Sequence, residues 1–557
     1  MTRQVIRSDN EMVVGDSLEE TIANKIGRLN KQRKFAKAIA DGAAALLSLP
    51  ESFLIHFNTA NAARKNGELD LARRLYKRAI HLNPSDHMAW NNLGLTLLAE
   101  GNQDGAKAAF RKSVALSAEK NISALVNYSL VCRQTGDAQE AIKAANIALT
   151  INPTSMEAYA NRAAIYHELN MLEPALYDIG KAAEIAPGHP SIFYNKGNIY
   201  VSLCRWEKAI ECFNQALSLE PDLKDAAINK SICLLMQNKW EQGFLAYESR
   251  WSLLGKIACF QSLEQVSQFR EKLYVTRSVE IYAEQGLGDA IQFLRYLLLM
   301  PKEVTATKLY VHPPLVNLVK ESNFSAEVLP LEKGSAFSGT TSSDGCLKLP
   351  LLSLPLMLGI FPGQDRFPCS PYLRVDKGHS NHWWEKISAY PNIRTHLDPS
   401  VLRVGICWAG NPQQGTDKKR SIPFSTVSRL FSIPCRWINL KVELTEEVRI
   451  RLSNHRVEDY STDVSDLRDT AALLSTLDLV ISTCTSVAHL AGSLGLSTWV
   501  LLAFSPDWRW SDEGETSLWY PTSRLFRQRT PGDWEGVLDD VEAALLKKID
   551  EPQSRYE

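Results

Sequence analysis

A regular spacing of prolines is the feature that most constrains the fold of the first half of this chain. Successive members are separated by 34, 69, 34 and 34 residues, and the missing member falls near Ala118. The prolines are Pro50, Pro84, Pro153, Pro187 and Pro221. A fixed period of this length predicts an array of repeated units, in which each unit buries its apolar face only by stacking on its neighbours.

The residue types inside each period predict a pair of helices. Small residues such as Gly94, Ala163 and Gly197 allow two helices to approach closely, and aromatic side chains fill the remaining space. Proline then ends the second helix, because it cannot continue the backbone hydrogen bonding. We count about seven units between Glu19 and Trp251, the last of them partial.

This pattern resembles the tetratricopeptide repeat. The resemblance implies a superhelix with a concave groove that binds an extended peptide or a partner helix, and a spacer or dimerisation role is the alternative. Asparagines recur at a nearly constant offset on the first helices, where they are predicted to bind a peptide backbone unless they are only tolerated at the surface. They are Asn91, Asn92, Asn127, Asn161, Asn195 and Asn229.

The second half of the chain has a different pattern. From Ser278 onward, short apolar runs alternate with helical stretches, which predicts parallel sheets joined by crossover helices. Two such blocks predict two doubly wound, Rossmann-like domains that face each other across a cleft. The predicted boundaries are 1–18 for a tail, 19–251 for the repeats, 252–277 for a linker, 278–395 and 396–548 for the two domains, and 549–557 for a second tail.

The stretch DLVISTCTSVAHLAGSLG, at 478–495, is predicted to form a strand, a tight turn and a helix. Thr483, Thr485 and Ser486 are candidate helix caps. The free N–H groups of the first helical turn and the positive end of the helix dipole predict an anion site, to which His489 adds a proton or a positive charge. The alternative is an ordinary strand–helix unit with a core histidine.

The stretch VEIYAEQGLGDAIQFLRY opens the first of the two blocks. Gly286 and Gly288 allow a sharp turn out of the strand, and Asp289 falls at the start of the following helix. Asp289 is therefore a candidate general base, with a plain helix cap as the alternative. The third glycine of a dinucleotide fingerprint, expected near Ile291, is missing, and this argues against NAD or FAD.

The stretch LRVGICWAGNPQQGTDKKRSIPF opens the second block. Its loop carries Lys418, Lys419 and Arg420, of which one is predicted to contact a phosphate, although such a run is also typical of a solvated loop. A later segment is dense in aromatic residues, and we expect a mainly structural role for most of them. These are Trp508, Trp510, Trp519 and Tyr520.

Composition excludes several other classes of protein. The net charge is −1 and no basic stripe is present, which argues against nucleic acid as a partner. None of the ten cysteines forms a CxxC pair, so neither a zinc site nor a disulfide framework is indicated. The longest apolar run, 349–361, is interrupted by two prolines, and the first residues lack an apolar signal core. We therefore expect a cytoplasmic, reduced protein without a membrane span.

Taken together, the repeats and the motifs AEQGLGDAIQFLRY, RVGICWAGNP, DLVISTCTSVAHLAGSLG and SPDWRW resemble the bacterial tetratricopeptide-repeat glycosyltransferases. The catalytic half is similar to the heptosyltransferase family, glycosyltransferase family nine, and more distantly to the protein O-linked N-acetylglucosamine transferases. The resemblance implies a fold of α plus α/β class, in which a repeat solenoid precedes a GT-B fold. It also implies a nucleotide-sugar donor mainly on the second domain, an acceptor mainly on the first, and no metal or cofactor.

The resemblance also implies roles for individual residues. Asp289 corresponds to the catalytic base of an inverting transfer, and Lys441 lies where the family places a polar residue near the nucleotide. The predicted contacts to the donor phosphates are Thr485, Ser486, Val487, His489, and either Lys419 or Arg420. The family usually has aspartate where this chain has Cys484.

The predicted function is sugar transfer from a nucleotide-sugar to a protein or glycan, with the repeat groove recruiting the acceptor or a partner protein. The alternative is a non-catalytic, peptide-binding scaffold whose second half is degenerate or only binds nucleotide.

Overall fold

The computed structural model describes residues 18–253, 260–332, 346–369, 371–389, 401–411 and 417–550. The first predicted tail, apart from Leu18, and nearly all of the second lie outside the described residues, as do residues 412–416 and the side chain of Lys418. The contacts divide the chain into two compact units, Met1–Asn195 and Lys196–Glu557.

The first unit consists of helices that pack as successive pairs. They are α1 (Leu18–Lys31), α2 (Phe35–Ser48), α3 (Phe53–Lys65), α4 (Leu69–Leu82), α5 (His87–Ala99), α6 (Gln103–Leu116), α7 (Ile122–Gln134), α8 (Ala138–Ile151), α9 (Met156–Glu168) and α10 (Leu172–Ile185). Each pair contacts the first helix of the next pair, as α4 contacts α5 and α6 contacts α7. The unit is therefore a helical solenoid, as the proline period predicts.

Local residues determine where these helices begin and how closely they pack. Asp86 caps α5 by accepting a hydrogen bond of 2.7 Å from the backbone N–H of Ala89, and Ser155 caps α9 in the same way. An added Cβ at Gly94 would lie 2.6 Å from the ring of Phe110, which confirms that this small residue allows the two helices to approach.

The second unit begins within α11 (Pro190–Ser202) and continues with more helices. These are α12 (Trp206–Leu219), α13 (Lys224–Met236), α14 (Trp240–Tyr247), α15 (Arg250–Leu253) and α16 (Leu263–Val275). Gly197 contacts Phe213 just as Gly94 contacts Phe110, so the repeat geometry extends into this unit.

A parallel sheet with the strand order β3-β2-β1-β4 follows in the described residues. Its strands are β1 (Ser278–Tyr282), β2 (Ala306–Val311), β3 (Glu327–Pro330) and β4 (Leu347–Pro350). The helices are α17 (Leu287–Phe293), α18 (Val316–Glu321), α19 (Leu354–Leu358) and α20 (Lys377–Ser388), with 3₁₀ turns at Leu294–Leu299, Pro313–Leu315 and Leu351–Ser353.

A second parallel sheet has the order β10-β9-β8-β5-β6-β7 in the described part of the chain. Its strands are β5 (Arg403–Cys407), β6 (Arg436–Asn439), β7 (Glu458–Asp459), β8 (Leu479–Thr483), β9 (Thr498–Leu502) and β10 (Ser523–Arg527). The helices are α21 (Asp417–Arg420), α22 (Phe424–Val427), α23 (Glu446–Asn454), α24 (Leu467–Ser475), α25 (Ser486–Ser493) and α26 (Trp534–Asp550), with 3₁₀ turns at Ser428–Ser432 and Trp508–Trp510.

The order of both sheets reverses beside their first strands, β1 and β5. In each sheet the first strand lies between the second and the fourth, which is the order of doubly wound α/β sheets. Ligands bind such sheets at the carboxyl ends of the strands, at the point where the order reverses. The topology therefore predicts a ligand site at the turns that follow β1, β5 and β8.

The last repeat-like helices of the second unit pack directly on its α/β part. Trp240 and Phe244 of α14 contact the ring of Trp508 at centroid distances of 6.4 and 5.8 Å. Arg250, which is buried, pairs with Glu284 just after β1 at 2.8 Å. These contacts explain why α14 and α15 group with the sheets. In the part of the chain that the structure describes, no helix is both long and apolar enough to cross a membrane.

Candidate functional site

A cavity of about 730 Å³ lies at the carboxyl ends of β1, β5 and β8. Its walls come from the turn 285–289 after β1, from Cys407 at the end of β5 and residues 409–411 after it, and from the turn 484–487 after β8. Ile232 of α13 and Tyr247 of α14 also line it. The cavity is therefore at the place where doubly wound sheets bind ligands.

The turn after β1 holds Gln285 in an unusual backbone conformation. Its φ of +60° lies in the left-handed region, which costs a non-glycine residue roughly 1 kcal/mol. Tyr247 donates a hydrogen bond of 2.9 Å to the Gln285 side chain, and His312 Nε2 donates one of 3.0 Å to its carbonyl oxygen. Contacts from α14 and from the end of β2 thus stabilise a strained residue on the cavity wall.

Asp289 caps a helix, which is one of the two alternatives from the sequence, and it also pairs with Arg509; its role as a general base stays a prediction. Its Oδ2 accepts a hydrogen bond of 2.9 Å from the backbone N–H of Gly286, so the carboxylate caps the start of α17. Its Oδ1 accepts a hydrogen bond from Nη2 of Arg509. The carboxylate lines the cavity and its side chain is 21% exposed.

Arg509 is a functional candidate that no sequence motif predicts. Its Nη1 donates to both carboxylate oxygens of Asp507, at 2.9 and 3.1 Å, and its guanidinium lies 4.3 Å from the ring centroid of Trp508. Burial lowers the pKa of Arg509, but the two carboxylates outweigh burial and the net pKa is raised. For Asp507, burial raises the pKa, but Arg509 outweighs it and the net pKa is lowered. Asp507 and Arg509 are therefore both charged at neutral pH.

The turn after β8 is not capped as predicted. Thr485 occupies the N-cap position of α25, but its hydroxyl lies 3.0 Å from Ser482 Oγ and 3.7 Å from Cys407 Sγ, and it makes no cap hydrogen bond. Thr483 belongs to β8 and Ser486 is the first residue of α25. The prediction that these hydroxyls cap the helix is therefore wrong, because strand side chains offer Thr485 closer partners.

The first turn of α25 is open as a result. The backbone N–H groups of Ala488 and His489 both reach the carbonyl oxygen of Thr485. Among the described residues, none accepts a hydrogen bond from the backbone N–H of Ser486 or Val487. Both residues line the cavity. Free donors at the positive end of a helix dipole attract anions, and the anion site itself stays a prediction.

The charge of His489 differs from the predicted one. The imidazole is 5% exposed, stacks on Trp510 at 5.1 Å and places Nδ1 3.1 Å from the hydroxyl of Tyr520. Burial, together with Arg509, lowers the pKa of His489 to about 3. The predicted positive charge is therefore wrong for this arrangement, and His489 is a neutral residue of the cavity wall.

Gly288 is required where α17 meets α25. An added Cβ there would lie 2.9 Å from Cδ2 of His489 and 3.6 Å from the Cα of Ser486. The two helix starts therefore approach each other closely, and a side chain at this position would separate them.

Cys484 has a defined partner. Its Sγ accepts a hydrogen bond of 3.1 Å from the indole Nε1 of Trp510. Burial, with a further contribution from Asp507, raises the pKa of this thiol to about 12, so it stays protonated. Cys484 thus acts as a neutral acceptor for the tryptophan rather than as a reactive thiolate.

The basic residues named from the sequence separate into two groups. Arg420 lines the cavity, with its Nε donating to Asp417 Oδ1 at 3.1 Å, and Lys441 lines it with Nζ 3.2 Å from the carbonyl oxygen of Gly410. Lys419 is exposed and does not line the cavity. No group of three or more histidine, cysteine or acidic side chains that could hold a metal ion occurs within the described ranges.

Several asparagines of the predicted peptide-binding set bond within the chain. Their amide groups donate from Asn92 to Asn61, from Asn127 to Asn91, from Asn161 to the carbonyl oxygen of Val126, and from Asn229 to Asn198, at 2.8 to 3.1 Å. Asn195 lies on α11. These amides link successive first helices, and peptide binding by the same face stays a prediction.

Comparisons with known proteins support the assignment of the repeats. Two tetratricopeptide repeat families match, one at residues 29–86 and 57–121 and the other at 190–223. The chain is 24% identical over 537 residues to Protein FlbA of Caulobacter vibrioides, covering 92% of this chain and 82% of that protein.

Solved structures of repeat proteins are also similar. YrrB, described as a TPR protein with an unusual peptide-binding site, is 25% identical over 33% of this chain and 95% of its own, with a TM-score of 0.29. MamA is 23% identical over 31% and 93%, with a TM-score of 0.28. Tetratricopeptide repeats, which are modules of protein interaction, are thus present in this chain, followed by a region of parallel α/β sheets.

Proposed function

We propose that the second unit is a glycosyltransferase of GT-B fold, which moves a sugar from a nucleotide-sugar to a hydroxyl of a protein or glycan. One observation carries this proposal. A carboxylate, Asp289, and an open helix start, at Ser486 and Val487, line the same cavity at the switch points of two parallel sheets. Sugar transfer needs these two elements together, a base for the acceptor and an anion site for the leaving phosphate.

The proposed reaction is a single displacement. The acceptor oxygen attacks the anomeric carbon while Asp289 accepts the hydroxyl proton, and the bond from that carbon to the phosphate oxygen breaks. The electron pair leaves with the nucleoside diphosphate. Its charge is stabilised by the N–H groups of α25 and by Arg420 and Lys441, so the donor needs no metal ion for this purpose. Attack opposite to the leaving group inverts the anomeric configuration.

The nucleoside of the donor is proposed to lie near Lys441. Lys441 and the neighbouring residues Leu440 and Val442 follow β6 and line the cavity beside Gly410. The acceptor then occupies the opposite wall, near Asp289 and Tyr247. The repeats are proposed to recruit the acceptor or a partner protein in the cytoplasm.

A second candidate function is a scaffold that binds peptide and nucleotide without transfer. Two observations favour it, the engagement of Asp289 by Arg509 and the cysteine at position 484. A scaffold of this kind has the same nucleotide-binding site as the proposed transferase but does not catalyse sugar transfer.

The test is calorimetric titration of the full chain with a panel of nucleoside diphosphates and their sugars. We expect one of them to bind with micromolar to millimolar affinity. Arg420→Gln should weaken this binding about tenfold, which corresponds to the loss of about 1.4 kcal/mol. Lys419→Gln should weaken it by less than about twofold, because this exposed side chain does not line the cavity. Absence of nucleotide binding at millimolar concentration would reject the transferase.

A further inference from the structure

Arg509 connects the proposed base to the loop that reaches the phosphate site. It donates to Asp289 through Nη2 and to Asp507 through Nη1. The next residue, Trp510, donates to Cys484 and stacks on His489, so the same short segment also contacts the turn after β8 and the first turn of α25. One short segment, Arg509 and Trp510, thus contacts both helix starts.

Arg509 has an N–H group that makes no hydrogen bond to the described residues. Its side chain is 8% exposed, and its Nε is buried without a hydrogen-bond partner among the described residues. A buried N–H without a partner costs about 1 to 3 kcal/mol. An anion that presents two oxygens to the guanidinium relieves this cost, and phosphate is one of the anions that arginine binds in forked geometry.

The charges of the cavity are balanced before a ligand binds. The lining carboxylates are Asp289, Glu443 and Asp507, and the lining cations are Arg420, Lys441 and Arg509. A diphosphate adds two or more negative charges to this balanced set. The backbone N–H groups of α25 attract the diphosphate, and its negative charge then competes with Asp289 for the guanidinium of Arg509.

We propose that Arg509 is an exchangeable cation. A diphosphate bound at α25 forms an ion pair with Arg509 in place of Asp289, and this releases the Asp289 carboxylate to act as base. In this exchange Asp289 keeps the hydrogen bond from Gly286 and loses its ion pair. A carboxylate without its cation binds protons more strongly. The chain therefore holds its base inactive until the donor is in place.

This inference rests on the proposed function, because it names the donor phosphates as the group that moves Arg509. The coupling itself is measurable without any transfer reaction. Inorganic pyrophosphate is the probe, and calorimetry on the full chain gives its affinity for wild type, Asp289→Asn, Arg509→Gln and the double variant.

We expect Asp289→Asn to raise the affinity for pyrophosphate about tenfold when Arg509 is present, since the arginine no longer has to leave a carboxylate. In the Arg509→Gln background the same change should have less than about a twofold effect. Glu443→Gln is the matched control, because it removes an equal charge from an exposed position on the cavity wall. Its effect should be the same in both backgrounds.

Equal effects of Asp289→Asn in the two backgrounds would overturn the proposal, and so would failure of pyrophosphate to bind at millimolar concentration. If Arg509→Gln does not fold, Arg509→Lys replaces it, since one ammonium group lacks the fork that contacts both carboxylates. The coupling should then fall at least about threefold. If Asp289 and Arg509 are coupled in pyrophosphate binding but no nucleotide binds, the exchange is supported and the transferase is rejected. If a nucleotide binds but the two residues are not coupled, the transferase is supported and the exchange is rejected.

Discussion

Two helix starts meet at the cavity, and they differ in how their first N–H groups are satisfied. In α17, the side chain of Asp289 accepts the backbone N–H of Gly286. In α25, the hydroxyl of Thr485 lies near Ser482 and Cys407 instead, and the N–H groups of Ser486 and Val487 have no acceptor among the described residues.

The difference shows how one local pattern produces opposite electrostatics. Both segments are a parallel strand, a tight turn and a helix. A carboxylate inside the first turn fills the positive end of α17, whereas α25 has no acidic residue in its first turn. One start therefore presents negative charge to the cavity and the other presents open donors, which is the pairing that the proposed sugar transfer needs, with a base for the acceptor and donors for the leaving phosphate.

The largest effect is expected from removing the negative charge of Asp289 at the start of α17. Asp289→Asn should lower sugar transfer roughly a thousandfold, because a positioned general base contributes about 10²- to 10⁴-fold. The amide oxygen still accepts the N–H of Gly286, so the helix start should stay intact. Steady-state transfer rates with the donor identified by calorimetry measure the effect, and thermal unfolding controls for the fold. Turnover at the wild-type rate would remove Asp289 from the base role.

A smaller effect is expected from removing one donor of α25. Ser486→Pro deletes a single N–H at the first helical position, where proline is tolerated. Thr485 already has the extended backbone, φ −134° and ψ 173°, that a residue before proline prefers. The affinity for nucleoside diphosphate should fall about tenfold, the value of one charge-assisted hydrogen bond.

Ser486→Ala is the matched control for this prediction. It shortens the same side chain but keeps the backbone N–H, so its affinity should stay within about twofold of wild type. Equal losses in the proline and alanine variants would show that the hydroxyl, and not the open helix start, binds the ligand.

The smallest expected effect concerns pH and the neutral His489 between the two helix starts. In the unfolded chain this histidine binds a proton below its ordinary pKa of 6.5, whereas burial in the folded chain lowers the pKa to about 3. The unfolded state thus binds more protons in this window, and stability is lost as the pH falls from 6.5 towards 3. His489→Gln should reduce the loss of stability between pH 7 and pH 5, as measured by urea unfolding. Identical pH dependence in both proteins would mean that His489 is accessible to protons in the fold.

Much of this architecture follows from local patterns that the sequence displays. The proline period and the small residues at Gly94 and Gly197 predict the helix pairs, because helix packing depends on side-chain size at fixed intervals. Alternating apolar runs predict the parallel strands, and QGLGD and TCTSVAH predict both helix starts. Asp289 is identifiable because its role depends on its distance from Gly286 along the chain.

Other features depend on the tertiary structure. Arg509 contacts Asp289 from 220 positions along the chain, and Trp510 contacts Cys484 across two different turns. The direction of the Thr485 hydroxyl and the charge of His489 likewise depend on neighbours that strand order and burial bring together. The sequence by itself determined the repeats, the strands and the two helix starts, because their periodicity is local. The tertiary structure decided which charges meet in the cavity, because ion pairing and desolvation depend on distance in space and not on separation in sequence.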